Sequence, residues 1–342
     1  MICMEISKPL VSVVMSVYNT DVEYLRSAID SMLLQTYKNI EIILVNDSST
    51  DEDLLNYLDK LNDTIIIRIN NTQNKGLAYS LNKGILASRG KYIARMDTDD
   101  VSMPERIENQ VRYMEKNENI VVLATRAQMF GNENGCRVMM LNNPQYIAAN
   151  FLFSVGITHP SVMLRKSVLI KKNLLYNESF RKAQDYELWS RISELGDVIY
   201  ELPQVLLKYR ISSNQASAEG KNKDQKQNAE FVKIKLLKEL GIEPSGEELI
   251  LHEYLSYADY RLASKIRLCQ LFDWRKKIIQ SNKISKKYSE KVLKMVLASH
   301  WLDSIAIYYK HNKIELKYLI KSLDIYFLRA VLLRLRKKHI HL

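Results

Sequence analysis

Within the first hundred residues, short apolar runs alternate with amphipathic segments at a spacing that few architectures accommodate. Val11–Val17 (VSVVMSV) is rich in β-branched residues and lies between Pro9 and Asn19-Thr20. Asp21 is placed to cap a helix that carries Tyr24, Leu25, Ala28, Ile29 and Met32 at helical spacing. A second buried-type strand, Ile40–Val45, ends in the polar turn Asn46–Asp51. A helix through Leu54, Leu55 and Leu58 follows, then a third strand at Ile65–Ile69. Asn74-Lys75-Gly76 opens another helix, through Leu81 and Ile85, which Arg89-Gly90 closes. The fourth strand, Tyr92–Met96, runs straight into Asp97-Thr98-Asp99-Asp100. Strand and helix in this order imply βαβ units and a largely parallel sheet.

Ligands of such sheets bind beyond the carboxyl ends of the strands. The polar signals fall there: Tyr18-Asn19, Asp47, Asn74-Lys75-Gly76 and the acidic run. Each alone is compatible with turn chemistry, but four on one edge point to a site. Asp97-Thr98-Asp99-Asp100 is the strongest of them. Clustered carboxylates repel one another and are costly to bury unless a cation joins them. Hard oxygen ligands suit Mg²⁺ or Mn²⁺. The alternative is a solvated acidic turn, which the placement after an apolar strand and in line with Asp47 disfavours. A second constellation, Gln184-Asp185-Tyr186-Glu187-Leu188-Trp189, opens a helix over about 184–195. Its Asp185 is either a helix N-terminal residue favoured by the dipole or a functional acid.

Residues 120–215 read as mixed, with strand-like runs at Ile120–Leu123 and Val198–Leu202. From about 222 the pattern is helical; Phe231, Ile234, Lys235 and Lys238 share a helix capped near Gly241, and Pro244 starts the next. Charge follows the same division. The chain of 342 residues carries a formal +11, but residues 1–220 hold 24 Lys+Arg against 26 Asp+Glu, whereas residues 221–342 hold 26 against 13. A slightly acidic front is thus joined to a strongly basic back, which predicts two regions, 1–220 and 221–342. Three widely separated cysteines, Cys3, Cys136 and Cys269, fit neither a zinc cluster nor a disulfide framework. No stretch reaches the ~18–20 uninterrupted apolar residues of a membrane span. The N-terminus lacks the basic segment and cleavage site of a signal peptide, so a cytoplasmic protein is expected.

The run PLVSVVMSVYN, then SMLLQTYKNIEIILVNDSSTD, then NKGLAYSLNKGILASRGKYIARMDTDD with MPERIENQ, resembles the family 2 glycosyltransferases of the GT-A fold. HPSVMLRKS, AQDYELWSRI and YRISSNQAS fit the same family in order and spacing, so the resemblance spans roughly residues 9–217. It implies an α/β domain, Rossmann-like with a mostly parallel central sheet flanked by helices, followed by a C-terminal helical region. It also implies roles. Ser16, Tyr18 and Asn19 would line the nucleotide pocket, Asp47 would meet the base, and Lys75 would lie near the base or ribose. Asp97 would meet the ribose and Asp99 the metal, Mn²⁺ or Mg²⁺, with Asp100 in support. Asp185 would be the catalytic base of an inverting transfer, with Gln184 and Trp189 supporting it or the acceptor.

Two positions depart from the family pattern. Gln184 replaces the usual Glu, which leaves the base intact and bears on acceptor choice. Ser212 stands where many relatives carry a His that reaches the metal or diphosphate, and His159 is the alternative ligand, unless it is structural. The expected activity is transfer from a nucleotide-sugar donor, a UDP-sugar, to a glycan acceptor such as a polyprenyl-diphosphate-linked oligosaccharide in surface-polysaccharide synthesis. The rivals are a silent nucleotide-sugar-binding protein and a nucleotidyltransferase, although the latter's Gly-rich loop is missing after the first strand. Residues 317–338 read as one basic amphipathic helix, with Leu319, Ile320, Leu323, Tyr326, Phe327, Ala330 and Val331 on one face. Such a helix can lie in a membrane interface, with about 1 kcal/mol per basic charge near anionic lipid. No zinc spacing or RNA-binding signature supports nucleic acid as the partner.

Overall fold

The structure, a computed structural model, describes residues 8–137, 141–212, 223–312 and 316–338. They fall into two compact units, one drawn from the stretches 1–138 and 157–226, the other from 139–156 and 227–342.

The first unit is built on one mixed sheet. Its strands are β1 (Val11–Val17), β2 (Ile40–Asn46), β3 (Ile66–Asn70), β4 (Tyr92–Arg95), β5 (Val101–Ser102), β6 (Ile120–Gly131), β7 (Gly135–Arg137), β8 (Met163–Arg165) and β9 (Val198–Ile211). They lie in the order β3-β2-β1-β4-β8-β6-β9-β5, with β7 on β6. The pairs β3–β2, β2–β1 and β1–β4 are parallel, as the βαβ pattern requires. Beyond β4 the sheet changes character, because β8 runs antiparallel to both β4 and β6. Strands β6 and β9 extend far past the runs Ile120–Leu123 and Val198–Leu202. They pair with each other along their length with register shifts, and their distal halves are partly exposed, so no apolar run marks them.

Helices cover the sheet: α1 (Val22–Leu33), α2 (Glu52–Lys60), α3 (Leu77–Ala87) and α4 (Arg106–Lys116). Asp21 caps α1 by accepting from Glu23 N and Tyr24 N. Because side chains alternate along a strand, Val11, Val13, Met15 and Val17 share a core with α1 residues Leu25, Ala28, Ile29 and Met32. Val14 points to the other face, where α3 packs against β1 and β2. There a Cβ on Gly84 would meet Val14 Cγ1 at 2.5 Å, so only glycine admits this approach.

Among the charged groups buried in that sheet is one that its neighbours satisfy fully. Glu41, 2% exposed on β2, accepts from Ser12 Oγ at 2.6 Å, Arg89 N at 2.7 Å and Arg89 Nε at 2.8 Å. Burial works to raise its pKa, but these donors outweigh it and hold the carboxyl below its ordinary value.

The chain next contributes α5 (Pro144–Asn150) to the second unit, then returns to the first for α6 (Lys166–Lys171) and α7 (Gln184–Glu194). The helices α8 (Lys223–Glu239), α9 (Gly246–Tyr257), α10 (Tyr260–Ala263), α11 (Leu268–Ser285), α12 (Glu290–His311), α13 (Leu316–Ser322) and α14 (Ile325–Lys338) follow. Ser245, not Pro244, caps α9, through a capping box with Glu248. In the second unit, α5 packs on α12. Phe153 lies between the imidazoles of the buried His252 and the half-buried His300, with ring centroids at 5.1 and 4.6 Å. His252 Nε2 bonds Leu152 O at 2.8 Å, and Trp274 Nε1 donates to His252 Nδ1 at 3.3 Å. Burial pulls His252 down to about 3 and His300 down to about 4, so both are neutral spacers of the core.

The expected single helix over 317–338 is two. It breaks at Leu323-Asp324, where Asp324 Oδ1 caps the next helix by accepting from Phe327 N at 2.8 Å. Phe327 and Ala330 face inward as expected, but Ile320 and Leu323 are exposed. The outward apolar stripe of α14 is instead Ile325, Leu328, Leu332 and Leu335.

Replacing Glu41 by Ala should lower stability by about 2–3 kcal/mol at neutral pH, since it removes charge-assisted bonds and strands their donors. A carboxyl with a depressed pKa loses its contribution as pH falls through that pKa. Urea denaturation should therefore show the gap between the variant and the natural chain closing in acid.

Candidate active site

The acidic run leaves β4 at Arg95, and its first turn is fixed from below. Arg106, fully buried on α4, donates from Nη2 to Arg95 O at 2.7 Å and reaches Met96 Sδ at 3.4 Å. Its Nε bonds Gln110 Oε1 at 3.2 Å, and Gln110 in turn donates to Leu123 O and Ser161 O, each at 2.8 Å. Burial, together with the like charge of Arg95, pulls Arg106 down to about 9. From β9, Arg210 N donates to Asp100 Oδ1 and Arg210 Nε to Asp99 O, both at 2.8 Å. The Arg210 guanidinium stacks between the rings of Tyr24 and Phe130, 3.9 and 4.5 Å from their centroids.

So held, Asp97, Asp99 and Asp100 bring one carboxylate oxygen each to within 4.8 Å of one another. Asp100 is fully buried, and burial with the charges of Asp97 and Asp99 pushes its pKa well up. Its Oδ2 has no hydrogen-bond partner. Three hard oxygen donors, one of them buried and unsatisfied, fit a divalent cation such as Mg²⁺ or Mn²⁺, which would supply the missing positive charge.

The parallel register carries the other strand ends to the same edge. Val17 is level with Asn46, and Val14 with Arg95. Ser16 is half-buried and Tyr18 exposed there. Asn19, at φ 45°, joins the two strand ends: its Oδ1 accepts from Thr50 N at 2.8 Å, and its N donates to Ser49 Oγ at 3.2 Å. Asp47 is buried and organises the turn above β3. Its oxygens accept from Asn71 Nδ2 at 2.7 Å, Lys75 N at 2.9 Å and Gly76 N at 2.7 Å. Gly76, at φ 90°, makes that turn possible, and the Lys75 side chain is exposed above it.

Asp185 enters from α7, whose N-cap Ala183 is left-handed at φ 56°. Gln184 beside it is buried. Burial raises the Asp185 pKa, against the pull of the Tyr186 N–H and the charge of Arg95. One turn further, Trp189 is fully buried and meets His159 and Tyr176 edge-on, at centroid distances of 5.9 and 6.5 Å. His159 Nε2 is engaged by Tyr176 OH at 2.7 Å, and burial holds the imidazole well below its usual pKa. His159 is therefore not part of the carboxylate cluster; it props the Tyr176 ring under the site. Asn82 of α3 fixes Tyr176 in turn, pairing with its N and O at 2.9 Å each. Ser212, at the end of β9, is half-buried.

The family model described as Glycosyl transferase family 2 matches residues 12–171. An uncharacterized glycosyltransferase of Haemophilus influenzae is 33% identical over 324 residues, 83% of this chain and 98% of that one. This chain belongs to glycosyltransferase family 2. A glycosyltransferase of Methanocaldococcus jannaschii is 37% identical over 60% of this chain and 72% of its own length. Among solved structures, S. aureus TarS 1-349, crystallised with UDP-GlcNAc, superposes with a TM-score of 0.56 at 16% identity, covering 87% of this chain and 89% of that one. The glycosyltransferase thus shares the mixed sheet and flanking helices of that fold. Three of its site residues escape sequence reasoning. Arg106, Arg210 and Tyr176 carry no chemical motif of their own; each acts through partners 11 to 111 positions away.

A carboxyl with a raised pKa favours the folded state less as pH rises, so its ionised form is a burden rather than a prop. Replacing Asp185 by Asn should leave the melting temperature at pH 7 equal or higher while sugar transfer falls about 10²–10⁴-fold. In the natural enzyme, the acid limb of the rate profile should lie above the ordinary Asp value of ~3.9.

Proposed function

We propose that this glycosyltransferase moves a hexose from a UDP-sugar to a glycan acceptor with inversion at the anomeric carbon, in a reaction that depends on Mn²⁺ or Mg²⁺. The observation that carries this reading is the Asp97–Asp99–Asp100 cluster, three carboxylates within 4.8 Å of one another at the strand edge to which the parallel register also brings the ends of β1 and β2. The S. aureus TarS structures with UDP-GlcNAc and with UDP support the choice of donor.

On this reading, Ser16, Tyr18 and Asn19 line the nucleotide pocket. Asp47 reaches the base and shapes the turn that presents Lys75, and Asp97 takes the ribose. Asp99, with Asp100 in support, would hold the cation, which when bound neutralises charge on the diphosphate leaving group. The acceptor hydroxyl attacks opposite the departing UDP, and Asp185 takes its proton as the new bond forms. Its raised pKa makes it a stronger base than a solvated Asp. Gln184, which cannot ionise, offers the acceptor a neutral hydrogen bond instead of a second charge.

The acceptor is a polyprenyl-diphosphate-linked oligosaccharide at the inner face of the cell membrane, made for a surface polysaccharide. No helix among the described residues is long and apolar enough to cross a membrane. Support for surface association comes from α14, where Ile325, Leu328, Leu332 and Leu335 recur at helical spacing beside the exposed Arg329. The excess of base over acid in residues 221–342 is of the sign that anionic lipid attracts.

Two measurements test this. Mn²⁺ at about 100 times its Kd should stabilise the protein by about 2.7 kcal/mol and raise the melting temperature accordingly. Asp99→Ala should abolish that shift and metal-stimulated UDP release; a metal response that survives would remove Asp99 as ligand. The natural chain should float with phosphatidylglycerol vesicles, and Leu328→Glu with Leu332→Glu should prevent it. These exposed positions are better targets than a truncation, because Phe327 and Ala330 belong to the core.

A further inference from the structure

Arg95 has no part in the donor, metal and base assignments, yet the site closes around it. It is the last residue of β4 and is 3% exposed. Its Nη2 forms an ion pair with Asp97 Oδ1, while Nε and Nη1 are buried without a hydrogen-bond partner. Its backbone is held on both sides, by Arg95 N to Val162 O at 3.0 Å and by Arg106 Nη2 to its carbonyl. The charged groups in its field are Asp97 and Asp100 on the acidic loop, Asp185 on α7 and Arg106 on α4; Tyr176 and His159 are the neutral polar groups beside it.

A buried guanidinium costs several kcal/mol unless paired and hydrogen-bonded, and unsatisfied donors add to that. A purely structural arginine would have its fork filled, as Arg165 does with Ile120 O, Tyr92 OH, Met114 O and Asn117 O. Arg95 instead keeps two of its nitrogens unpaired, while the third is committed to the acidic loop through Asp97. Lys is a poor substitute for a planar fork, although it preserves the charge.

We propose that Arg95 is a positioning residue whose fork orients Asp97, and with it the start of the acidic loop, toward the donor. It acts through the acid with which it is paired. The inference rests on the proposed role of Asp97.

The test compares Arg95→Lys and Arg95→Met with the natural chain, using UDP-sugar turnover with Mn²⁺ and calorimetric binding of UDP. Loss of alignment at a reacting group is worth on the order of 100-fold in rate. Arg95→Met should lower kcat by about that factor and raise the donor KM. Arg95→Lys should recover most of kcat, because the charge is back, while KM stays raised, because the fork is not. A residue that only filled space would not split the two constants this way. Near-natural kinetics in Arg95→Met, or equal loss of both constants in the two variants, overturns the proposal. If Arg95→Met does not fold, the split between kcat and KM in Arg95→Lys decides alone. Failure of the natural chain itself to bind UDP or release it from a donor would overturn the donor reading instead, so the two failures are distinct.

Discussion

Mutual repulsion of three carboxylates at the end of one strand is the constraint to which the rest of the catalytic unit answers. Left alone, Asp97, Asp99 and Asp100 would spread into solvent. Arginines from three elements prevent it: Arg95 on β4 pairs with Asp97, Arg106 on α4 grips the loop's root, and Arg210 on β9 binds its far side. The aromatic sandwich around Arg210 and the amide chain through Gln110 exist to hold those arginines. The residual charge imbalance, with burial and two neighbouring carboxylates pushing the Asp100 pKa up, would give a cation a reason to bind. Stability has been left incomplete where function needs a partner.

Asp185, the base on the proposed reading, is handled in a related way. Asp185 is placed at a helix start, where the dipole and a backbone N–H favour its anion, but in a setting dry enough to keep it basic. The layer beside it consists of Trp189, Tyr176 and His159, whose rings interlock; Tyr176 OH pairs with His159 Nε2, and Trp189 Nε1 is buried without a hydrogen-bond partner. A rigid aromatic floor fixes the approach of α7 without adding charge to the site.

Much of this was legible in the sequence because it is local. β1, β2 and β4 are buried on both faces, so their apolar runs announce them, and the acids that follow fall on one edge by βαβ geometry. Asp21 reads as a cap and proves to be one. What was illegible depends on distant pairing. The outer halves of β6 and β9 are strands because each completes the other's backbone hydrogen bonds, not because their residues are apolar. The break at Leu323-Asp324 changes part of the reading of the C-terminal helix, since a side-chain cap ends one periodic pattern and starts another with a different phase. The roles of Arg106 and Arg210 depend on a target carbonyl, which has no signature in sequence.

Residues 141–156 lie midway along the chain, yet they pack within the helical unit that the last third completes. The partners of Leu152 and Asn150, His252 and His300, follow them by 100 and 150 positions. At a synthesis rate of about 5–20 residues per second, the α5 segment waits on the order of 10 s on the ribosome before those helices emerge. Phe153 and its neighbours pass that interval uncovered, while the sheet on either side of them in sequence can already close. The vulnerable moment in the life of this protein is therefore its birth, when a greasy loop stands open between two finished halves of one sheet.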